Sequence, residues 1–453
     1  MKNISKNTIE LVNHASVIVS GEKTKLLSDP WYSLPAFHNG WNLIYENSEK
    51  DIIKVLEKIT HIWISHEHPD HFSIVFFKKY KELIRTKKIK ILFQETKDKR
   101  VIKFLRYLNL EVIELKNRKN YNLDEKYSIT CVKSGFYDSA LIINVDGIKI
   151  FNLNDCPIES LDDIEKFKKK FGLCDVLLTQ FSYAAWKGNK SNEEWAKNAA
   201  KNKINIIKNQ ANILNPKTVI PFASFIKFSN IKNSHLNKNS NYPDKIIKEI
   251  NEDEIKIVFL RPYEEQNLSQ IEQDEKSLIF WRNEIIRSNN NQLNMYKKRI
   301  DLDELNVSFL KYKKRIFDKN SFLMIKLISL VPFIKPFEKI VIYVEDIKKS
   351  ITFDFFSDKL IATQLDYDIS LSSESLDFIF NNSFGFDTLT VNGCFETGNK
   401  DGFEKATKLL AIENLNNLGI YFNLSILLNL NIFFIFFQRL KKVKINMEIK
   451  ANN

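Results

Sequence analysis

Three of the seven histidines in this 453-residue chain stand within one short segment, His66-Glu67-His68-Pro69-Asp70-His71. The segment follows an apolar run at 61–65 that predicts a buried strand. Residues i and i+2 of an extended chain point to the same side, so His66 and His68 can bind one metal ion together. A turn through Pro69 brings Asp70 and His71 to the same corner. Imidazole and carboxylate ligands suit Zn²⁺ or non-haem Fe²⁺ and leave positions open for water or substrate. The alternative is a solvated loop that happens to be rich in histidine.

A further carboxylate, Asp155, stands where it can join this group. It follows the apolar run 148–153, which predicts a strand, and Asn154 and Pro157 indicate a turn at that strand's end. The alternative is an ordinary turn aspartate.

The elements around these residues predict a sheet-based α/β domain with helices on the outside, because short apolar strands alternate with amphipathic helices. The predicted strands lie at 9–12, 16–20, 24–27, 61–65, 89–93, 111–115, 176–179 and 219–222, with a strand pair over 127–155. The predicted helices lie at 48–58, 101–108 and 192–214.

Composition narrows the class of protein. The apolar fraction is 44% and the charged fraction 27%, as in an ordinary globular chain. The net charge of +12 comes mostly from Lys in a chain also rich in Asn and Ile, a bacterial-type bias rather than an Arg-lined nucleic-acid surface. The four cysteines form no Cys-x-x-Cys pair, which argues against a zinc ribbon or a four-Cys iron–sulfur site and fits a reducing compartment. The first residues include no long apolar segment, so we expect a cytoplasmic protein without a secretory signal.

A polar, Asn- and Glu-rich stretch begins near residue 265, and we predict a domain boundary there. Residues 1–265 form the predicted catalytic domain and residues 266–453 an α+β accessory region. That region has no histidine and no catalytic cluster. It reads as strands over 339–395 with a short helix near 375–380, and its run 387–393 is predicted as a strand.

The most apolar stretch of the chain is 419–437, followed by a basic tail to residue 444. A stretch of nineteen residues could just span a bilayer, but three asparagines interrupt this one. A buried core element, contact with a membrane surface and a spanning helix all remain open.

The motif at 66–71, in its strand-to-loop context, resembles the metallo-β-lactamase superfamily. Within it the chain is most similar to the CMP-N-acetylneuraminate hydroxylase family over residues 9–265. The residues that carry this resemblance come in the same order: His14-Ala15-Ser16-Val17, Asp29-Pro30-Trp31, Pro35-Ala36-Phe37, Gly40-Trp41, Ile64-Ser65-His66, Asn152, Asp155-Cys156, Glu193-Glu194-Trp195 and Pro221-Phe222-Ala223.

The resemblance implies a four-layer αβ/βα sandwich with one or two divalent metal ions, Zn or Fe, at a sheet edge. It implies ligands from the 66–71 motif, with Asp155 as the carboxylate that bridges two ions. The implied ligand set is His66, His68, Asp70, His71 and Asp155.

Two histidines usual in the superfamily are missing here. The first would stand one hairpin before the bridging aspartate, where Ser134 is found and no histidine lies between His71 and His235. Either Asp138 replaces it or the first metal site lacks a ligand. The second is missing at the strand 221–223, and His235 is either its replacement or a surface-loop residue.

The hydroxylase family also carries an N-terminal Rieske domain with a [2Fe–2S] cluster. Thirteen residues precede His14 and none is Cys or His, so we expect no iron–sulfur cluster in this chain. If the chain hydroxylates, a separate partner must then deliver electrons.

The resulting hypothesis is a metal-dependent enzyme that acts on a nucleotide-sugar or sialic-acid-like substrate, through metal-activated water or oxygen. Asp70 or Asp155 takes the proton or orients the hydroxide. Trp31, Phe37 and Trp41 form either a wall for the substrate ring or part of the core, and His14 either lines the site or is structural. The alternatives are a degenerate member that binds ligand without turnover and a simple metallo-hydrolase of a phosphoester or lactone.

Overall fold

The computed structural model describes residues 7–135, 137–250, 255–331 and 336–424, which divide into two compact units. The first unit comprises the chain up to Tyr296 together with Thr388–Cys394, and the second the remainder. The first unit thus extends beyond the predicted boundary at 265. Helix packing explains this, because the ring of Trp281 stacks on Phe225 with centroids 3.8 Å apart.

The first unit is built mainly on two sheets. Its strands are β1 (Thr8–Asn13), β2 (Ser16–Ser20), β3 (Lys25–Ser28), β4 (Trp41–Leu43), β5 (His61–Ile64), β6 (Lys90–Gln94), β7 (Val112–Leu115), β8 (Asn120–Asn122), β9 (Tyr127–Ser134), β10 (Asp138–Val145), β11 (Ile148–Asn154), β12 (Val176–Gln180), β13 (Thr218–Phe222), β14 (Ile226–Phe228) and β15 (Glu265–Asn267). One sheet has the order β15-β1-β2-β3-β5-β6-β7 and the other the order β13-β12-β11-β10-β9-β8, while β14 and β4 form a separate pair.

Seven α-helices accompany these sheets: α1 (Glu49–Lys58), α2 (Ile74–Thr86), α3 (Arg100–Tyr107), α4 (Leu161–Phe171), α5 (Glu194–Leu214), α6 (Pro243–Ile250) and α7 (Glu275–Asn289) within the described residues. A 3₁₀ helix covers Ser234–Asn239.

The two sheets pack face to face. Alternate residues of β5 and β6 divide between two cores: Trp63 and Leu92 pack with the second sheet, and Ile62 and Ile91 pack with α1, α2 and α3. On the far side of the second sheet, Phe151 contacts Phe167 of α4 at 5.1 Å between centroids. This arrangement is the four-layer αβ/βα sandwich that the resemblance implied, so the predicted fold class is confirmed.

The second unit is α+β, as predicted for the accessory region. Its elements include α8 (Leu302–Phe317), α9 (Phe322–Ser329), β16 (Ile340–Val344), β17 (Lys349–Phe353), β18 (Ile361–Thr363), β19 (Ile369–Leu371), α10 (Ser373–Asn381), β20 (Glu396–Thr397), α12 (Gly402–Leu410) and α13 (Ile412–Asn417). The helix α11 (Gly385–Asn392) precedes β20, and most of it belongs to the first unit. The strands form one sheet in the order β18-β17-β16-β19-β20.

The prediction of a strand at 387–393 is wrong, because most of this run belongs to the helix α11. Its alternating Leu389 and Val391 suggested a strand. In the structure Phe386 and Leu389, three residues apart, are both buried, which is the spacing of one helix face. Tertiary packing overrides the β propensity of the local sequence.

Within the described part of the chain, every helix is too short or too polar to cross a bilayer. Most of the apolar stretch predicted at 419–437, and all of the basic tail to 444, lie outside the described residues.

Candidate metal centre

The predicted ligands meet where several strands of the first unit end. The 66–71 motif lies between β5 and α2, and His14 lies in the turn between β1 and β2. Backbone amides of His71 and Phe72 donate to the His68 carbonyl oxygen at 3.0 and 2.7 Å, which folds the motif into a compact turn. Because β5 is wholly buried, the start of this turn is fixed by the core.

A first group of donor atoms gathers around His66. Its Nε2 lies 2.9 Å from His68 Nδ1 and 3.7 Å from Asp138 Oδ1. Asp138 begins β10 and pairs directly with Ser134 at the end of β9. The hairpin thus places a carboxylate beside His66, whose Nε2 lies near one further imidazole and this carboxylate.

A second group gathers around Asp70. Its Oδ2 lies 3.3 Å from His14 Nε2 and 3.2 Å from His71 Nε2. All three side chains are buried, and their donor atoms all lie within 4.8 Å of one another. This group also consists of two imidazoles and one carboxylate.

Asp155 lies between the two groups. Its Oδ2 is 3.4 Å from His71 Nε2, and Asp155, His66 and His71 form a second cluster whose donor atoms lie within 4.8 Å. A carboxylate with two oxygens in this position can reach a cation in either group.

Asp29 supports the centre by accepting hydrogen bonds from His71 and from the residue before His66. It accepts from the Ser65 backbone N–H at 2.7 Å, from the Ser65 hydroxyl at 2.8 Å, and from His71 Nδ1–H at 3.1 Å. The side chain of Asn154 donates to it as well. With the Nδ1 proton of His71 held by Asp29, Nε2 is the ring atom that faces the centre, as in metal sites where a carboxylate orients a ligating histidine.

The tautomer of His66 follows from the same network. The Ser65 hydroxyl gives its hydrogen to Asp29, so its oxygen accepts from His66 Nδ1–H across 2.9 Å. The lone pair of His66 then lies on Nε2, the atom that faces His68 and Asp138.

The charges at this centre are strongly coupled. Burial lowers the pKa of His66, and the neighbouring His71 and His68 lower it further. Burial opposes protonation of His71, but the negative charges of Asp70 and Asp155 outweigh it and raise the pKa of His71 well above its usual value. Burial likewise disfavours a charged Asp155, yet the attraction of His71 brings its pKa down to about 2. The carboxylates therefore stay ionised and attract a cation.

Unsatisfied polar atoms show that the donor set fits metal ions. Asp70 Oδ1, Asp155 Oδ1, His14 Nδ1 and His71 Nε2 are buried and lack hydrogen-bond partners among the described residues. Leaving such groups unpaired in a core is costly, and a divalent cation would satisfy the carboxylates and the imidazole Nε2 together.

The three aromatic residues predicted as a substrate wall are all buried and belong to one apolar cluster. Trp31 meets the edge of His14 with ring centroids 5.6 Å apart, and Phe37 meets His68 at 5.7 Å. Trp41 packs on Phe37 at 4.6 Å. Trp31 and Phe37 thus contact the candidate ligands His14 and His68, whereas Trp41 packs on Phe37.

His235 is not brought into either group of ligands. Its ring lies in the 3₁₀ helix, and its Nε2 contacts the Gly188 carbonyl oxygen at 3.2 Å. The sequence did not decide whether His14 and Asp138 belong to the site. In the structure they, rather than His235, contact residues of the 66–71 motif.

Sequence reasoning did not assign a role to Asp29 or Ser65. Asp29 belongs to the motif Asp29-Pro30-Trp31 and Ser65 to the motif Ile64-Ser65-His66, both of which carry the resemblance. The available signal was a carboxylate just after the predicted strand 24–27, but its partners are 36 and 42 residues away in sequence.

The chain is similar in sequence to known hydroxylases over about half its length. It is 25% identical over 255 residues to cytidine monophosphate-N-acetylneuraminic acid hydroxylase of Danio rerio, covering 50% of this chain and 41% of that protein. It is 26% identical over 254 residues to the Xenopus laevis protein of the same name, again covering 50% and 41%. The predicted resemblance is confirmed, and the chain spans less than half the length of these relatives. No protein-family model matches the chain.

Solved structures with low similarity were also found. They include CmlA, a diiron β-hydroxylase from Streptomyces venezuelae (TM-score 0.39, 14% identity, covering 58% of this chain and 54% of that one). A possible metal-dependent hydrolase from Veillonella parvula has a TM-score of 0.42 at 14% identity, covering 58% and 100%. The metallo-β-lactamase fold protein YhfI from Bacillus subtilis has a TM-score of 0.36 at 12% identity, covering 57% and 98%.

Proposed function

We propose that this chain is a binuclear metal-dependent hydroxylase that acts on a nucleotide-sugar or sialic-acid-like small molecule. The observation that carries the proposal is the donor set: two groups, each of two imidazoles and one carboxylate, with Asp155 between them. Two histidines and one carboxylate are the set typical of non-haem Fe²⁺ oxygenases.

The residues that would hold the ions divide between the two groups. His66, His68 and Asp138 would bind one ion, and His14, Asp70 and His71 the other, with Asp155 shared. When bound, such ions lower the pKa of coordinated water or, as iron supplied with electrons, activate dioxygen. With Asp138 in place of a histidine, this group has the two-histidine, one-carboxylate composition that non-haem Fe²⁺ sites use.

Residues of the chain itself would orient the ligands and the substrate and would accept the proton. Asp29 holds the ring of His71 and Ser65 that of His66, so that Nε2 of each ring faces the centre. Asp155 Oδ1 has no hydrogen-bond partner in the described structure and is the oxygen that would accept a proton from water or a substrate hydroxyl. Asp70, held between two imidazoles, would orient the reacting oxygen rather than exchange protons freely.

The proposed substrate class and the proposed partner are inferred from the sequence similarity to the hydroxylases. The relatives are named for cytidine monophosphate-N-acetylneuraminic acid, an anionic nucleotide-sugar, and we propose a substrate of that class. A hydroxylation consumes two electrons, so we propose a separate electron-donor protein as partner. A cytoplasmic location fits this proposal, because the four described cysteines are all free.

A metallo-hydrolase of a phosphoester or lactone is the second candidate. Its support is that two histidines with one carboxylate also bind catalytic zinc. Zinc in the purified protein, with turnover of an ester and no need for electrons, would favour this function.

Metal content combined with matched variants tests the proposed function. We expect two iron ions per chain, and substrate-dependent oxygen consumption when an electron donor is added. The double variant His66→Ala, His68→Ala should lose at least one ion and all turnover. His235→Ala is the control, because His235 lies outside both groups, and it should keep both ions. A metal-free chain that still binds substrate would instead support a ligand-binding protein without turnover.

A further inference from the structure

A cavity of about 520 Å³ opens beside the metal centre. Asp155 lies at one part of its wall, so the candidate bridging carboxylate faces both the centre and this space. The cavity lies past the carboxyl ends of β11 and β12, where α/β sheets commonly bind ligands.

One face of α5 forms the opposite wall. Trp195, Asn198, Ala199, Asn202 and Lys203 follow the three- and four-residue spacing of one helix stripe, and all line the cavity. The apolar face of the same helix, including Ile204 and Ile207, packs into the core. The wall is thus rigid, polar and rich in amides.

Lys187 is the unusual residue in this wall. It is half-buried, and no hydrogen bond or ion pair with another described residue is seen for its ammonium group. Its described contact is with the ring of Trp195, 5.6 Å from the centroid. Burial and the charge of Lys203 lower the pKa of Lys187 and outweigh the opposing effect of Glu159, so a further anion beside the ammonium would be stabilising.

The acidic groups of the cavity are already engaged. Glu159 pairs with Lys203 at 2.6 Å, and Lys203 also donates to Gln180 at 3.0 Å. Asp155 faces His71 at 3.4 Å and belongs to the metal centre. Glu159 still acts on Lys187 through its charge, but the described structure shows no ion pair between Lys187 and either carboxylate of the cavity.

Trp195 completes the arrangement. Its indole is 44% exposed, although it packs edge-on against Trp186 with centroids 5.2 Å apart. An exposed, well-held aromatic face beside a cation suits a ligand that combines a ring with an acidic group.

We propose that Lys187 is a substrate-positioning residue, whose ammonium binds an oxyanion, phosphate or carboxylate, of a small molecule in this cavity, with Trp195 covering the ligand. The oxyanion lies at the Lys187 end, and the reacting part of the molecule points towards Asp155. This inference rests on the proposed function for the identity of the substrate, but the anion site itself depends on the residues of the cavity alone.

Binding measurements on the full, metal-loaded chain test this role. The probes are cytidine monophosphate, N-acetylneuraminic acid and uncharged cytidine, titrated calorimetrically. Lys187→Met should weaken at least one of the two anions tenfold or more, equivalent to about 1.4 kcal/mol. Loss for the nucleotide assigns a phosphate, and loss for the sugar acid assigns a carboxylate. Lys187→Arg keeps the charge and should stay within about threefold of wild type.

Two comparisons separate a positioning role from a structural one. Lys201→Met removes an exposed α5 lysine outside the cavity and should bind all probes as wild type does. Affinity for cytidine should not change in Lys187→Met. The proposal is overturned if Lys187→Met binds both anions normally, if cytidine affinity falls as much as anion affinity, or if wild type binds neither anion.

Repeating the titrations after chelation distinguishes this inference from the proposed function. If the chain binds no metal yet Lys187→Met still weakens the anion, the proposed function fails and the anion site stands. If two ions bind, and the anion affinity falls on chelation but is the same in wild type and Lys187→Met, the proposed function stands and the inference fails.

Discussion

At the scale of single residues, the candidate ligands are held in place by hydrogen bonds to a carboxylate that is not itself among them. Asp29 receives four donors, from Ser65 twice, from His71 and from Asn154. Each donor either is a ligand candidate or adjoins one in sequence. A change at Asp29 should therefore alter metal affinity without touching an ion.

Asp29→Asn should weaken metal binding by about 10–100-fold while the protein stays folded. Asp29 has φ 36°, and asparagine tolerates this left-handed conformation well, so backbone strain is unchanged. The amide cannot accept from His71 and Ser65 as a carboxylate does. Competition with a chelator of known affinity measures the effect, and Asp51→Asn on the surface is the control. Unchanged affinity in Asp29→Asn would contradict the role given to Asp29.

Single ligand substitutions should separate the two groups. Asp138→Ala should lower occupancy of one ion per chain, and His14→Ala should lower occupancy of the other, because each removes a donor from one group only. Asp155→Ala should weaken both. Metal content per chain after dialysis measures this. Loss of both ions in either of the first two variants would argue against independent groups.

At the scale of elements, the candidate ligands are positioned by the ends of strands and by the start of a helix. The motif passes directly into α2, whose first turn is capped by Ser73, and the hydroxyl of Ser73 accepts from the Phe76 N–H at 3.2 Å. The hairpin β9–β10 places Asp138 by its register. The helix cap and the hairpin are both local features, and each positions candidate ligands of the centre.

Ser73→Ala should destabilise the protein by about 1 kcal/mol, the usual effect of a lost N-cap, and should also weaken metal binding severalfold. Ser48→Ala is a matched control, because Ser48 caps α1 with the same 3.2 Å contact to the Asp51 N–H, away from the ligands. It should show the same shift in urea midpoint with unchanged metal affinity. Equal metal affinity in both variants would show that α2 does not position the motif.

The elements also show how far sequence reasoning reached. The 66–71 motif, Asp155 and the alternation of strands and helices were predictable, because each is a local pattern of residue types. The side-chain network of Asp29 was not, because its partners Ser65 and Asn154 come from distant strands. The place of Asp138 was left open, since it depends on hairpin register. The strand predicted at 387–393 failed because local β propensity competes with the packing of a helix face.

At the scale of the whole molecule, two compact units share the chain, and the described ligand groups all lie in the first. Ions that bind only the folded state stabilise it by mass action. Bound ions should therefore stabilise the first unit and not the second.

Chelation should lower the unfolding temperature of the first unit and leave that of the second unchanged. The carboxylate of Asp70 is buried and that of Asp155 is half-buried, and without a cation to balance them their charges disfavour the folded state. Differential scanning calorimetry with and without chelator measures the two transitions. The variant His66→Ala, His68→Ala should show a smaller response, and an equal response of both transitions would count against a centre confined to the first unit.

The most direct measurement is anomalous diffraction at the iron and zinc edges from crystals of the aerobically purified chain. We predict two peaks, one within about 2.0–2.3 Å of donor atoms of His66, His68 and Asp138, and one equally close to His14, Asp70 and His71, with Asp155 between them. Iron at both peaks would support oxygen chemistry. A centre without anomalous density, with these side chains bonded only to one another or to water, would contradict the account.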